Sequence, residues 1–183
     1  MAAKRKKSTS SSSRSKAKQA DAIGLLKADH AEVEKMHKRF KKLVKEDAGA
    51  AEREQLAQDI CSALTKHAAI EEEIFYPALR EALEDDDIVD HADVEHASAK
   101  NLIAQIQGMG ADDSHFNATV LVLCEYVAHH VEEEEGKMFP KAKKADLDLA
   151  ALGDELRERK DELPDMAQPG RARRSNGARS RAP

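Results

Sequence analysis

At 183 residues, with 40% hydrophobic but only 3% aromatic content and no Trp, the chain has the length of one domain with tails and the composition of a helical protein packed through aliphatic side chains. No run of eighteen apolar residues occurs, so no membrane-spanning helix is expected, and two cysteines without C-x-x-C spacing offer neither a disulfide framework nor a thiolate zinc site. The net charge of −5 is unevenly spread: seven Lys and Arg without an acid in residues 1–18 (+7) and five Arg against Asp165 in residues 164–183 (+4) leave −16 on the middle, a field that favours cations.

In chain order, residues 1–18 form a basic, Ser-rich segment with too little apolar surface to offset ordering, and disorder is expected there. A first helix is predicted over about residues 20–46, where Ile23, Leu26, Val33, Phe40 and Leu43 keep helical spacing, with Gly49 in the stop signal Asp47-Ala-Gly. A second follows over about residues 50–83. Asp85-Asp-Asp87 links it to a third that ends near Gln107, and Gly108-Met-Gly110 separates that from a fourth capped by Asp112 or Asp113. Pro77 and Pro140 fall inside helical patterns, so kinks or short breaks are expected at both. Residues 146–163 read as a short fifth helix with Leu149, Leu152, Leu156 and Leu163 on one stripe, and residues 164–183 as a second basic, disordered tail.

The second and fourth helices repeat one another. His67-Ala-Ala-Ile-Glu71 and His130-Val-Glu-Glu-Glu134 align at an offset of 63, together with Ile60/Leu123, Cys61/Cys124, Leu64/Val127, Tyr76/Phe139 and Pro77/Pro140. At an offset of 66 the first helix matches the third through Ile23/Val89, Leu26/Ala92, His30/His96, Val33/Ala99, Met36/Leu102 and Phe40/Ile106. A competing register, Asp29-His-Ala-Glu-Val-Glu34 against Asp90-His-Ala-Asp-Val-Glu95, would pair His30 with His91 but sets Asn101 where Phe40 stands. The chain is therefore expected to be all-α: an antiparallel up-down four-helix bundle over residues 19–145, made of two repeated helix pairs, with the short fifth helix appended.

Residues four apart share a helix face, so each His-x-x-x-Glu points an imidazole and a carboxylate at one spot, and the apolar positions upstream put that spot inside. Burying two such pairs is costly unless a cation meets the carboxylates. A single buried His is ordinarily a hydrogen-bonded core residue, but His30, His67, His96 and His130 in repeat register with Glu71 and Glu134 point to a metal site. Imidazole with carboxylate and no thiolate suits iron or manganese. Glu72 and Glu135, one residue further from each His, are the alternative carboxylates. His37 reads as a satisfied core residue or an additional contributor, and His91, His115 and His129 as peripheral. Cys61 and Cys124 read as small buried hydrophobes.

These motifs, Asp29-His30, His67-Ala-Ala-Ile-Glu71, Glu95-His96 and His130-Val-Glu-Glu-Glu134, each of the His-x-x-x-Glu copies followed by an aromatic and Pro, make the chain resemble the hemerythrin-like family of HHE cation-binding domains over about residues 20–145. The resemblance implies two non-haem irons, with His30 and His67 on one, His96 and His130 on the other, and Glu71 and Glu134 bridging. It also implies O2, NO or peroxide as a small ligand. Oxygen-carrying hemerythrins have a further His one turn before the third motif His. Ala92 stands there, so an open position is expected, which favours sensing, iron handling or peroxide chemistry over oxygen storage.

A peroxide-consuming enzyme and a DNA-protecting stress bundle are the rival readings. The latter is disfavoured because ferritin-like sites use Glu-x-x-His on two helices. The tails lack interleaved aromatics, so nucleic-acid contact is not favoured. The cysteine usage and the absence of an apolar stretch after the basic start make the cytoplasm the expected location.

Overall fold

A computed structural model of the chain describes residues 20–83 and 87–164. Both basic tails and most of the Asp85–Asp87 link lie outside the described residues. Helix α1 spans Ala22–Lys45, and α2 spans Ala50–Ile70 and passes through a π-helical turn, Glu71–Phe75, into α3, Tyr76–Ala82. The second half repeats this with α4, Asp87–Gln107, and α5, Phe116–Glu133, which passes through a π-helical turn, Glu134–Met138, into α6, Phe139–Ala142. Helix α7, Leu149–Glu162, completes the described chain. The architecture is the expected all-α bundle, with α1 packed on α2 and α5, α4 on α5 and α2, and α7 laid across α1, α2 and the first π turn.

Local chemistry explains the boundaries. Asp21 caps α1 by accepting from the Gly24 amide, and Asp148 caps α7 by accepting from those of Ala150 and Ala151. The stop after α1 differs from the expected glycine: Asp47 takes the left-handed conformation, φ 50°, while Gly49 sits at φ −56° and starts α2. Aspartate tolerates that region because its short polar side chain bonds locally. The fourth helix also begins later than expected, because the Asp113 carboxylate accepts from the His115 amide and closes a local turn rather than capping the helix.

Neither proline breaks its helix. Each follows a π turn whose closing bonds run from the Tyr76 amide to the Glu71 carbonyl and from the Phe139 amide to the Glu134 carbonyl. The wider turn absorbs the register error that a ring without an N–H would otherwise force. Both π turns open at the glutamate of a His-x-x-x-Glu motif.

The apolar interior falls into two clusters. One holds Phe40, Ile60, Ile106, Phe116 and Leu123; the other holds Leu26, Phe75, Tyr76, Leu79, Met138, Phe139 and Leu156. The four motif histidines lie between them, with His96 and His130 5% exposed and His30 and His67 6%. His91 is exposed, so burial decides for the register that pairs His30 with His96.

Helix α7 seats closely because Gly153 lacks a side chain: a Cβ there would stand 2.7 Å from the Ala22 nitrogen at the start of α1. The Gly153→Ala variant is therefore expected to lose about 1–3 kcal/mol through overpacking against backbone that cannot yield, measured by denaturant unfolding.

Candidate metal centre

Helices α1, α2, α4 and α5 each contribute one histidine. The Nε2 atoms of His30 and His67 face each other at 3.1 Å, and those of His96 and His130 do the same at 3.1 Å. Three outer Nδ1 atoms are bonded to a carboxylate, His30 to Glu135 at 3.0 Å, His96 to Glu72 at 2.9 Å and His130 to Glu95 at 2.7 Å, while Asp29 faces His67 Nδ1 at 3.5 Å without a hydrogen bond. A carboxylate beside Nδ1 draws the ring proton to that nitrogen and leaves a lone pair on Nε2. Two lone pairs aimed at each other repel unless a cation lies between them.

The two glutamates stand between the histidine pairs. Glu71 Oε2 is 3.1 Å from His67 Nε2 and 3.5 Å from His96 Nε2, and Glu134 Oε2 is 3.3 Å from His30 Nε2 and 3.5 Å from His130 Nε2. Glu71 is 0% exposed and Glu134 2%, yet both oxygens of Glu71 and Oε2 of Glu134 have no hydrogen-bond partner. Burial raises both carboxyls. The proximity of Glu134 drives Glu71 further up, whereas the nearby imidazoles, His30 first, hold Glu134 low. Without a cation this pair carries one negative charge; with one it carries two.

These positions fit a bound cation. His30, His67, Glu71 and Glu134 each bring a donor atom within 4.8 Å of the others, and Glu71, His96 and His130 form a second such group sharing Glu71. The profile of the hemerythrin HHE cation-binding domain matches residues 21–142. The chain belongs to that family. A solved HHE-domain structure, the hemerythrin HHE cation binding domain-containing protein from Mycobacterium kansasii, superposes with a TM-score of 0.64 at 22% identity, over 78% of this chain and 86% of that one. At that identity the likeness is one of fold. No curated protein matches the chain.

All six residues singled out from the sequence of this HHE domain converge. The alternative carboxylates do not enter the centre: Glu72 and Glu135 brace histidines of the opposite helix pair. His37 is neither a contributor nor a satisfied core residue, since it is only partly buried and its Nε2 has no hydrogen-bond partner.

Three features were not found from the sequence. The Tyr76 hydroxyl donates to Glu134 Oε1 at 3.0 Å and lies 3.2 Å from His96 Nε2, while its repeat counterpart Phe139 stacks on His30 at 5.8 Å. Burial, then the nearby Glu71 and Glu134, push the phenol's pKa up and keep its proton on. Lysines hold the outer oxygens of three braces: Lys27 on Glu135, Lys100 on Glu72, and Lys160 of α7 on Asp29. Finally, an apolar cavity of about 610 Å³ lined by Val33, Leu64, Ile103 and Val127 opens beside the four histidines. Only the Tyr76/Phe139 difference carried a signal, a phenol replacing a phenyl within an otherwise faithful repeat.

Replacing Glu71 separates the electrostatic cost from the binding role. Its raised pKa means stability is fully present below the ordinary glutamate value of 4.5 and is lost as pH rises through the folded value. Chelator-treated Glu71→Gln should therefore exceed the chelated parent by about 1–3 kcal/mol at neutral pH, with the difference closing toward pH 4. In metal-loaded protein the same variant should melt lower. Thermal unfolding with and without chelator checks both signs.

Proposed function

We propose that the chain holds two irons in a non-haem centre and uses them to bind or sense O2 or a related small oxidant or diatomic ligand. The observation that carries this is the facing Nε2 pairs, each with its ring protons held outward by carboxylates and with Glu71 and Glu134 between the pairs. His30 and His67 would hold one ion, His96 and His130 the other, and Glu71 and Glu134 would span both. Donors of this kind, without thiolate, suit iron or manganese over structural zinc. Bound iron would supply electrons and a coordination position for a small ligand.

The remaining work falls to the chain itself. Asp29, Glu72, Glu95 and Glu135 orient the imidazoles and keep their protons on Nδ1. The largely apolar wall of the cavity beside the histidines, with charged side chains such as Lys27, Lys100 and Glu132 also lining it, suits a small uncharged molecule. Ala92 leaves the third histidine without a neighbouring imidazole one turn earlier, and the Tyr76 hydroxyl approaches that histidine instead.

One observation favours peroxide consumption as a second reading. Tyr76 holds a proton at Oη against Glu134, inside the centre, where disproportionation of peroxide, one molecule reduced to water and a second oxidised to O2, has a proton to relay. Its counterpart Phe139 offers none.

Purification from iron-replete cells followed by metal analysis should give about two irons per chain, as expected for paired donors on a twofold frame. One zinc per chain with no iron uptake would refute the assignment. Glu72→Ala or Glu135→Ala should weaken iron binding about 10–100-fold, whereas Glu132→Ala on the exposed face should not. Tyr76→Phe should retain the iron. If peroxide turnover is the activity, the variant loses it, read by oxygen evolution or peroxide absorbance; equal turnover would remove Tyr76 from the chemistry.

A further inference from the structure

Three of the four carboxylates that brace the histidines have a lysine on their outer side: Lys27, Lys100 and Lys160. The fourth, Glu95, accepts from His130 Nδ1 at 2.7 Å, and no lysine is bonded to it among the described residues. It faces His129 and Glu133, one turn apart on α5, and Glu95, His129 and Glu133 each bring a donor atom within 4.8 Å of the other two. An ammonium is thus bonded to three of the braces; at the fourth, three metal-type donors converge and the nearest ammonium, Lys137, is bonded to Glu133 instead.

Glu95 and Glu133 of this group line a cavity of about 360 Å³, together with Ala92, His130, Glu134 and the lysines Lys137 and Lys141, while His129 stands outside its lining. His130 and Glu134 are residues of the buried centre, and Glu134 Oε2 is the buried oxygen without a hydrogen-bond partner. The cavity therefore joins two carboxylates of the group, Glu95 and Glu133, to the buried one. Its apolar wall at Ala92 would be narrowed by any larger side chain.

The duplication has no second copy of this feature. At the repeat offsets, Glu95, His129 and Glu133 correspond to Asp29, Lys66 and Ile70. On that side α7 packs over α1, α2 and the first π turn, and Lys160 neutralises Asp29. One half of the bundle is closed and the other is left with donors at its surface.

We infer that Glu95, His129 and Glu133 form a peripheral binding site for a divalent transition-metal cation, through which ions enter the buried centre. The role as an entrance rests on the buried residues being a metal centre; the peripheral site itself does not. Two carboxylates and one imidazole, with the remaining positions open to water, suit Fe2+, Mn2+, Co2+ or Zn2+, and rotation of the exposed His129 can close the spacing to metal–ligand bonds of about 2.0–2.2 Å. Three donors at a part-exposed place hold an ion loosely enough to release it inward. Lys137, 2.5 Å from Glu133 Oε1, is the resident counter-charge that the ion must displace. Glu95 links the two sites directly, since the same carboxylate holds His130.

The test uses the full chain and the double variant His129→Ala/Glu133→Gln, which leaves Glu95 and every residue of the centre in place. Iron-loaded parent protein, freed of excess metal, should bind one further Co2+ by calorimetry, and the double variant none. Stopped-flow loading of the metal-free protein with Fe2+ should be about tenfold slower in the variant, with the same final iron content, as expected when a site that concentrates cations at the mouth is removed. Lys137→Met should load faster than the parent. No additional Co2+ in the parent, or equal loading rates, overturns the inference. A parent chain that takes up no iron overturns instead the assignment of the centre, and the Co2+ titration of parent against variant still reads the peripheral site.

Discussion

Four imidazoles, three of them bonded at the outer nitrogen to a carboxylate and the fourth facing one at 3.5 Å, are the constraint on which the rest of this bundle depends. Once the outer nitrogens hold the protons, the inner ones must turn lone pairs toward one another at 3.1 Å. Nothing in the apolar clusters above and below relieves that repulsion; those clusters only fix where it occurs. The buried glutamates sharpen it, because burial and the proximity of Glu134 push the Glu71 carboxyl well up and set it against a second carboxylate. The fold spends its interior on a place that is unfavourable when empty and favourable when a cation fills it, as cation-binding domains require.

The duplicated frame is only partly symmetric, and the departures are where chemistry is differentiated. Tyr76 and Phe139 hold equivalent places over His96 and His30, but only the phenol brings a proton to the centre. Helix α7 covers one half and anchors Asp29 through Lys160, whereas the equivalent carboxylate in the other half, Glu95, is left to His129 and Glu133. The two cavities differ in character as well. One is apolar and opens beside the histidine layer, and the other is lined by carboxylates and reaches Glu134 from the side.

Much of this was legible in the sequence, and the limits have physical reasons. Spacing of three and four placed His67 with Glu71 and His130 with Glu134 because an α-helix makes those residues neighbours regardless of context. The repeat register then chose His96 over His91, and burial agrees. What spacing could not give was the role of the residue at His plus five. On a regular helix Glu72 and Glu135 would point about 100° away from their neighbours, and their use as braces follows from contacts across the bundle. The π turns were equally hidden: a proline announces that the α ladder must fail nearby, but not that an inserted residue will absorb the failure. Asp47 in the left-handed position beside an available Gly49 shows the same limit at a loop, where local hydrogen bonding outweighed the usual preference.

The pattern of bracing crosses the duplication. His30 in the first helix pair is oriented by Glu135 of the second, and His96 in the second by Glu72 of the first, while Glu71 reaches from His67 across to His96. Neither helix pair on its own carries a finished half of the centre. Two copies of one pair, related by a twofold axis, would complete each other, because each of these crossed contacts has its reciprocal, Glu134 reaching His30 as Glu71 reaches His96. The geometry is thus that of a symmetric pair of helical hairpins written into a single chain. A single chain lets its halves differ, and the phenol on one side and the covering helix on the other are differences that two identical copies could not have.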